Sequence, residues 1–491
     1  MNILLASTEV APYAKAGGLA DITAALPIEW QKYGQNPIII MPKYGFIDVH
    51  KYGFTPLDKT LIVPMGYWTE FARLWLGYLN GSRVPVYLVE HNDYFDRHGI
   101  YGDPQEYDDN DRRFIFFSRA VFEAAKALNF SPHIIHAHDF HTAFTMAFLK
   151  SYYNTDPHFS DTAGVYTIHN LAYQGKFNPE TAMLYSGFGM KEIFPGSWFE
   201  QFGAVNSMKT GIMFADKITT VSPTYAKEIR YDYYSEGLRD ELNVRGADLV
   251  GILNGVYYDV WNPESDKYIT HNYNADSLHL KQANKIEYLK SFGLDESDNL
   301  DMPLFGMVSR LTEQKGIDLI RIKLEHYLAN NALRFTLLGN GEQQYVDYFN
   351  YLKEKYPKNC FITIGYNENL SHRIFAASDF LMMPSRFEPC GLTQMYALKY
   401  GTIPIVRNTG GLADSVTEYI PDSGQGWGFT FWQYNADDFT YAIRRALSVY
   451  RQEPHWDLIR KNGMARNYSS AQSALEYLKV FKWAKEKAVS R

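Results

Sequence analysis

Short apolar runs that hardly alternate with polar residues punctuate this chain, and helical stretches separate them. In the first half they fall at 2–7, 36–41, 84–89, 133–137, 164–168, 217–221 and 249–253. Runs this short, β-branched and apolar on both faces suit strands of a parallel sheet covered by helices on either side. Helices are expected over 19–33, 111–128 and 223–230, the last opened by Ser222 as cap and Pro223 in the first turn. A polar stretch from Asn262 to about Asp301, with weak periodicity around Leu278 to Leu289, reads as a linker plus a surface helix. A second series of runs follows at 303–309, 333–338, 360–364, 379–383 and 402–406. The pattern therefore predicts an α/β protein with two doubly wound domains. Their boundaries are set at 1–258 and 301–469, with 259–300 between them. The amphipathic tail, 470–491, is expected to pack back on the first domain.

Bulk properties narrow the function. A chain of 491 residues is too long for one core. Its net charge of −7 and lack of a long basic run argue against nucleic acid as the main partner. No apolar run approaches the roughly 18 residues of a membrane span. The start lacks a basic flank and carries Glu9 too early for a signal peptide, and only Cys360 and Cys390 are present. A cytoplasmic protein is expected. Aromatic residues make up 16% of the chain, including 38 Tyr, which fits either a carbohydrate partner or core edges; composition alone favours the edges.

The pentapeptide Gly-Gly-Leu-Ala-Asp occurs twice, at Gly17–Asp21 and Gly410–Asp414, each time after an apolar run and before a helical stretch. Glycines at a helix start allow close backbone approach, and the amide groups there carry partial positive charge. The expectation is that each copy offers a ligand-facing turn. Lys15 beside the first copy suits a phosphate. Neither a Walker spacing nor a GxGxxG accompanies it, so ATP hydrolysis and NAD binding are weak readings.

Other unusual residues cluster just after predicted strands, where parallel sheets bind ligands. His136-Ala137-His138-Asp139-Phe140-His141 lacks the carboxylate or Cys spacing of a zinc site. Asp139 there suits sugar hydroxyls or a helix cap, and His169-Asn170 suits sugar contact. Arg310 and Lys315 can neutralise a diphosphate leaving group, the Arg through its fork and the Lys as a movable charge. Glu388 sits in a turn before Gly391-Leu392-Thr393, which opens a helix suited to phosphate. Cys390 reads as packing or a weak contact.

Together, Lys15–Asp21, His136–Asp139, Ile168–Ala172, Thr220–Ala226, Leu253–Gly255, Asp259–Pro263, Ser309–Gly316, Glu388–Gln394 and Thr409–Asp414 resemble the bacterial glycogen synthase and plant starch synthase family, in collinear order over nearly the whole chain. The resemblance implies two facing Rossmann-like domains with parallel sheets and a deep interdomain cleft. It implies transfer of glucose from ADP-glucose to the 4-hydroxyl of an α-1,4-glucan, with retention and without a metal or other cofactor. By position, Lys15, Gly17 and Gly18 would hold the donor phosphate and glucose. Arg310 and Lys315 would stabilise departing ADP, and Glu388 would bind glucose hydroxyls. Gly391, Leu392 and Thr393, with Cys390 beside them, would take phosphate. Asp139, His169, Asn170 and Asn254 would position the sugar, and Tyr366 or a neighbour would face adenine. The chain departs from the family at Ala16, Phe140, Val256-Tyr257 and Tyr396, and looks irregular over Arg321–Asn331. A relative using UDP-glucose or a small sugar, and a silent glucan-binding protein, are the alternatives. The first is separated by donor competition. The second requires a damaged charged site, whereas Lys15, Arg310, Lys315 and Glu388 are all present.

Overall fold

The structure is a computed structural model that describes residues 1–103 and 105–490. It divides into two compact units: Met1–Gly255 with the chain end from Ser470, and Val256–Ser469. The strands of the first unit are β1 (Asn2–Ala6), β2 (Asn36–Pro42), β3 (Thr55–Met65), β4 (Trp68–Tyr78), β5 (Pro85–Glu90), β6 (Ile134–His138), β7 (Ala163–Ile168), β8 (Lys176–Phe177), β9 (Glu200–Gln201), β10 (Ala204–Asn206), β11 (Lys217–Thr220) and β12 (Leu249–Gly251). The main sheet runs β12-β11-β7-β6-β1-β2-β5-β4-β3, and β8-β10-β9 form a small second sheet. Ile3 to Ala6, Ile134, Ile135 and Val165 are fully buried, as strands covered on both faces must be.

The expected strands are all present, but the sheet is not purely parallel. β3 and β4 form an antiparallel hairpin around Gly66-Tyr67, and β4 pairs antiparallel with β5. The hairpin is only half buried. Leu61, Val63, Ala72 and Leu74 face inward, while the cross-strand pair Ile62 and Phe71 is exposed. Its two-residue alternation is the signature of an edge with one wet face, which a search for doubly buried runs passes over.

The second unit carries β13 (Leu304–Val308), β14 (Arg334–Gly339), β15 (Cys360–Ile364), β16 (Phe380–Met383), β17 (Ile403–Arg407) and β18 (Phe429–Phe431), ordered β15-β14-β13-β16-β17-β18. Every pairing is parallel. Here β18 is the strand that was not foreseen, being three residues long. The stretch Arg321–Asn331 looked irregular, yet most of it lies inside one helix, Ile317–Ala329, whose Leu319, Ile320, Leu324 and Leu328 are buried.

The segment read as a linker with a surface helix belongs to the second unit from Val256 onward. Its helix, Leu278–Lys290, buries Leu278, Lys281, Lys285, Tyr288 and Leu289. Lys281 Nζ donates to the carbonyls of Phe375 and Ala376 (3.0 Å each) and to Thr402 Oγ1 (2.7 Å), so it caps the end of the helix Glu368–Ala377. Lys285 pairs with buried Asp379 at 2.7 Å. Polar residues with specific partners hid an inward face.

The helix Ser470–Val489 packs in the first unit against the helix Gly18–Lys32. Trp30 meets Phe481 with ring centroids 5.1 Å apart, and its indole N–H donates to the Ala474 carbonyl. Among the described residues, no helix is long and apolar enough to cross a membrane. Trp30→Ala is expected to lower the stability of the first unit by about 3–5 kcal/mol, the usual cost of emptying so large a buried site. Chemical denaturation followed by the ellipticity of the full chain measures it; a loss under about 1 kcal/mol would contradict this packing account.

Candidate functional site

Each main sheet reverses its order at its first strand, β1 in one unit and β13 in the other. In the first unit the chain leaves β1 toward β2 on one side, and β6 pairs on the other; in the second, β13 leads to β14 and has β16 on its far side. Loops beyond the carboxyl ends of strands flanking such a reversal splay apart and leave a crevice. The loops of interest are those following β1, β6, β13 and β16. They contain Lys15, Asp139, Arg310 with Lys315, and Glu388.

In the second unit Lys315 and Glu388 are brought together. Lys315 Nζ lies 2.6 Å from Glu388 Oε2, which also accepts a hydrogen bond from Ser385 Oγ at 3.0 Å. The side chains are 16% and 8% exposed, so the pair is shielded but reachable. Gly316 joins the two loops closely. Its φ is +73°, and a Cβ there would lie 2.1 Å from the Pro384 carbonyl oxygen. The loops are further tied by Arg386 N–H to the Gln314 carbonyl and by Gln314 Nε2 to the Phe387 carbonyl. Arg310 stands exposed just past the end of β13. Thr312 Oγ1, between Arg310 and Lys315, is buried and has no hydrogen-bond partner among the described residues, a group that sequence reasoning did not single out.

Gly391 and Leu392 precede the short helix Thr393–Lys399. Cys390 is buried, and its carbonyl and that of Gly391 accept from Gln394 Nε2. Tyr366 is exposed and donates to Glu368. Tyr396 belongs to a buried stack: Trp261 lies between Tyr396, at 4.1 Å, and His372, at 3.8 Å, both nearly parallel to it. A carboxylate at position 396 would have to sit inside that aromatic pile, so its absence there has a packing reason.

In both Gly-Gly turns, part of the backbone N–H set is engaged within the protein. In the first copy, the Ala16 and Gly17 amides donate to Glu9 Oε2 at 2.7 and 2.9 Å. In the second, the Gly411 amide donates to the Glu388 carbonyl at 3.0 Å. These amides face the protein's own acceptors; Gly411 is buried and its N–H must find a partner whether or not a ligand is bound, whereas Ala16 and Gly17 lie in an exposed turn that Glu9 holds. The second copy is a support for the Glu388 turn. A Cβ on Gly411 would fall 2.0 Å from the Cys390 carbonyl oxygen and 2.5 Å from its Cα.

Lys15, in the first unit, is paired with Asp21 at 2.7 Å, and both side chains are about a quarter exposed. Gly18 opens the helix that follows. Lys15 and Ala16 line a cavity of about 400 Å³ with Phe46, His98, Ile100 and Tyr101. Tyr101 carried no local signal in the sequence; only the fold brings it here.

Asp139 does not cap the following helix with its side chain. Its Oδ1 accepts from the His169 amide at 2.7 Å, so it holds the loop after β7. Its backbone adopts φ 54°, a conformation that costs energy for a residue other than glycine. Burial raises the Asp139 carboxyl to about 7, although the amides of His169 and Asn170 favour its charged form. His169 Nε2 lies 2.9 Å from His138 Nδ1. Burial lowers His169 to about 3, so it works as a neutral hydrogen-bonding group. Asn170 Oδ1 closes a local turn onto the Ala172 amide. Asn254 is buried, and its Oδ1 accepts nothing among the described residues, an orphan that a ligand hydroxyl would satisfy. No group of three or more metal-ligating side chains is present among the described residues.

Two α/β units, with a lysine–glutamate pair at the strand reversal of the second, have the architecture of a two-domain glycosyltransferase. The comparisons agree. Residues 2–244 match the model of the starch synthase catalytic domain, and 295–461 match that of glycosyl transferases group 1. The chain is 42% identical to a glycogen synthase of Bacillus cereus, covering 98% of this chain and 99% of that one. It is 43% identical to glycogen synthase 1 of Geobacter sulfurreducens, covering 98% and 96%. The catalytic domain of starch synthase IV from Arabidopsis thaliana, solved bound to ADP and acarbose, superposes with a TM-score of 0.90 at 33% identity, over 99% of each chain. The chain belongs to the glycogen synthase and starch synthase family of glycosyltransferases.

Two outcomes follow from this geometry. Gly411→Ala is expected to displace the Glu388–Cys390 turn and lower turnover about tenfold or more, because misplacing a reacting group by about 1 Å is costly; near-normal rates in a folded variant would refute the support role. Asp139 binds a proton in the folded chain, up to about pH 7, that the unfolded chain releases near pH 4. Its contribution to stability therefore falls as pH rises across that window and is flat above it. Asp139→Asn should remove that slope in denaturation midpoints measured from pH 4.5 to 8, and an unchanged slope would reject the assignment.

Proposed function

We propose that the chain transfers glucose from ADP-glucose to the non-reducing 4-hydroxyl of an α-1,4-glucan with retention of configuration, elongating glycogen in the cytoplasm. The observation that carries this reading is the shielded Lys315–Glu388 pair at the β13/β16 reversal. The glycogen synthase relatives, and the ADP and acarbose of the matched structure, give it its substrates.

Breaking the glycosyl–phosphate bond builds positive charge on the sugar and negative charge on the diphosphate. A preorganised cation stabilises the second at no reorganisation cost. Lys315 is held for that role by Glu388 and by the Gly316 contact. Arg310 supplies a second, exposed cation. Glu388 takes glucose hydroxyls, and the backbone from Gly391 to Thr393 takes phosphate, with Cys390 packed beneath. Lys15 and the turn at Gly17 and Gly18 serve the donor phosphate and glucose, which requires Lys15 to exchange Asp21 for the ligand. Asp139, His169, Asn170 and Asn254 position sugar hydroxyls; a neutral imidazole both donates and accepts, as a hydroxyl partner requires. Tyr366 faces adenine. With the leaving charge met by side chains, the reaction calls for no metal. Attack from the face of the departing phosphate accounts for retention.

Incorporation of labelled glucose into glycogen, from ADP-glucose against UDP-glucose, tests the reading. ADP-glucose is expected to be the better donor by about tenfold or more. Preference for UDP-glucose, or binding of glycogen without incorporation from either, would reject it. Lys315→Ala and Glu388→Ala should each lower kcat/KM by at least about 100-fold, roughly 3 kcal/mol of transition-state stabilisation, while circular dichroism stays unchanged. A folded variant within a few-fold of the parent would remove that residue from the mechanism.

A further inference from the structure

Glu9 follows β1 by three residues and is 4% exposed. All of its acceptors are engaged. Oε2 takes the Ala16 and Gly17 amides, and Oε1 takes the Tyr101 hydroxyl at 2.6 Å. Its backbone carbonyl accepts from Ser7 Oγ at 2.8 Å and Thr23 Oγ1 at 2.7 Å, so the residue itself is fixed. Tyr101 is fixed as well, stacked on His141 with centroids 4.3 Å apart and with its hydroxyl 3.2 Å from Thr8 Oγ1. A carboxylate is acceptor-only, and its charge strengthens each of the three bonds. It therefore joins two otherwise separate pieces of chain: the turn that bears Lys15 and the wall around Tyr101. Both pieces line the cavity of about 400 Å³.

We propose that Glu9 is a positioning residue: it clamps the Lys15 turn to the Tyr101 wall and so sets where the Lys15 ammonium reaches. Lys15 stands on the amide next to the clamped ones, and a shift of that backbone moves the ammonium through the whole length of its side chain. Lys15 already has Asp21 as an alternative partner. Without the clamp, nothing in this carboxylate's reach would bias the turn toward the ligand. Glutamine at position 9 keeps one oxygen for the two amides and can donate to the Tyr101 oxygen, so it should preserve part of the clamp. Alanine preserves none. The functional half of this inference rests on the proposed role of Lys15 toward the donor.

The test compares Glu9→Ala, Glu9→Gln, Tyr101→Phe, Lys15→Ala and the Glu9→Ala/Lys15→Ala double variant in the full-length chain. Amide hydrogen exchange over the peptide around residues 13–19, read by mass spectrometry, is expected to rise about tenfold or more in Glu9→Ala, with partial recovery in Glu9→Gln. Steady-state kinetics with ADP-glucose and glycogen should show Glu9→Ala losing about tenfold or more in kcat/KM, in the same parameter as Lys15→Ala. The double variant should be no worse than Lys15→Ala by more than about twofold, since both changes remove one function. Multiplying losses in the double variant, or exchange in Glu9→Ala equal to the parent, would overturn the proposal. If Glu9→Ala does not fold, Tyr101→Phe and Glu9→Gln decide: parental exchange and kinetics in both would overturn it. Should the parent transfer no glucose at all, the proposed function fails, and the exchange arm alone decides the clamp.

Discussion

Backbone amides in the turns beyond the strands of each main sheet are paired with acceptors from neighbouring loops, and that pairing fixes the turns in place. Glu9 pairs two amides of the first Gly-Gly turn, Asp139 pairs the His169 amide, and the Glu388 carbonyl pairs the Gly411 amide. These amides lock loops to one another. Charge carried on side chains adds to the backbone from Gly391 to Thr393 as a means of meeting an anion. Lys315, held by Glu388, whose Oε2 also accepts from Ser385 Oγ, is the most fully prepared example.

That division of labour fits group transfer. A lysine fixed by a carboxylate keeps its geometry before the ligand arrives, and the carboxylate lowers its attraction for stray anions. The groups proposed to position the sugar differ in kind: His169 is neutral, Asp139 is partly protonated near neutral pH, and Asn254 has an open acceptor. Such groups suit hydroxyls, whose hydrogen bonds demand both donors and acceptors. Charge is thus concentrated at the Lys315–Glu388 pair, and hydrogen-bonding versatility at the loops after β6, β7 and β12.

Much of this was legible in the sequence because parallel strands write themselves as doubly buried runs and because function gathers at their carboxyl ends. The strands at 2–7, 133–137, 303–309 and 379–383 located the loops that matter. The hairpin β3–β4 was not legible by that rule, since its wet face breaks the run. The inward side of the helix Leu278–Lys290 was hidden because Lys281 and Lys285 read as surface charges until their buried partners are seen. The Gly-Gly repeat marked two tight turns, but spacing does not show which internal acceptors their amides meet. Tyr101 could not be found at all, because its partner Glu9 lies 92 positions away.

The central claim is that Lys315 is the prepared anion contact and that Glu388 competes with the ligand for it while serving the sugar. Calorimetric titration of ADP into the parent, Lys315→Ala and Glu388→Gln chains tests this most directly. Lys315→Ala is expected to weaken ADP by about tenfold or more, whereas Glu388→Gln, with the competing charge removed, should bind ADP at least as tightly as the parent although it no longer supports transfer. Loss of ADP affinity in Glu388→Gln to the same extent as in Lys315→Ala would contradict the account.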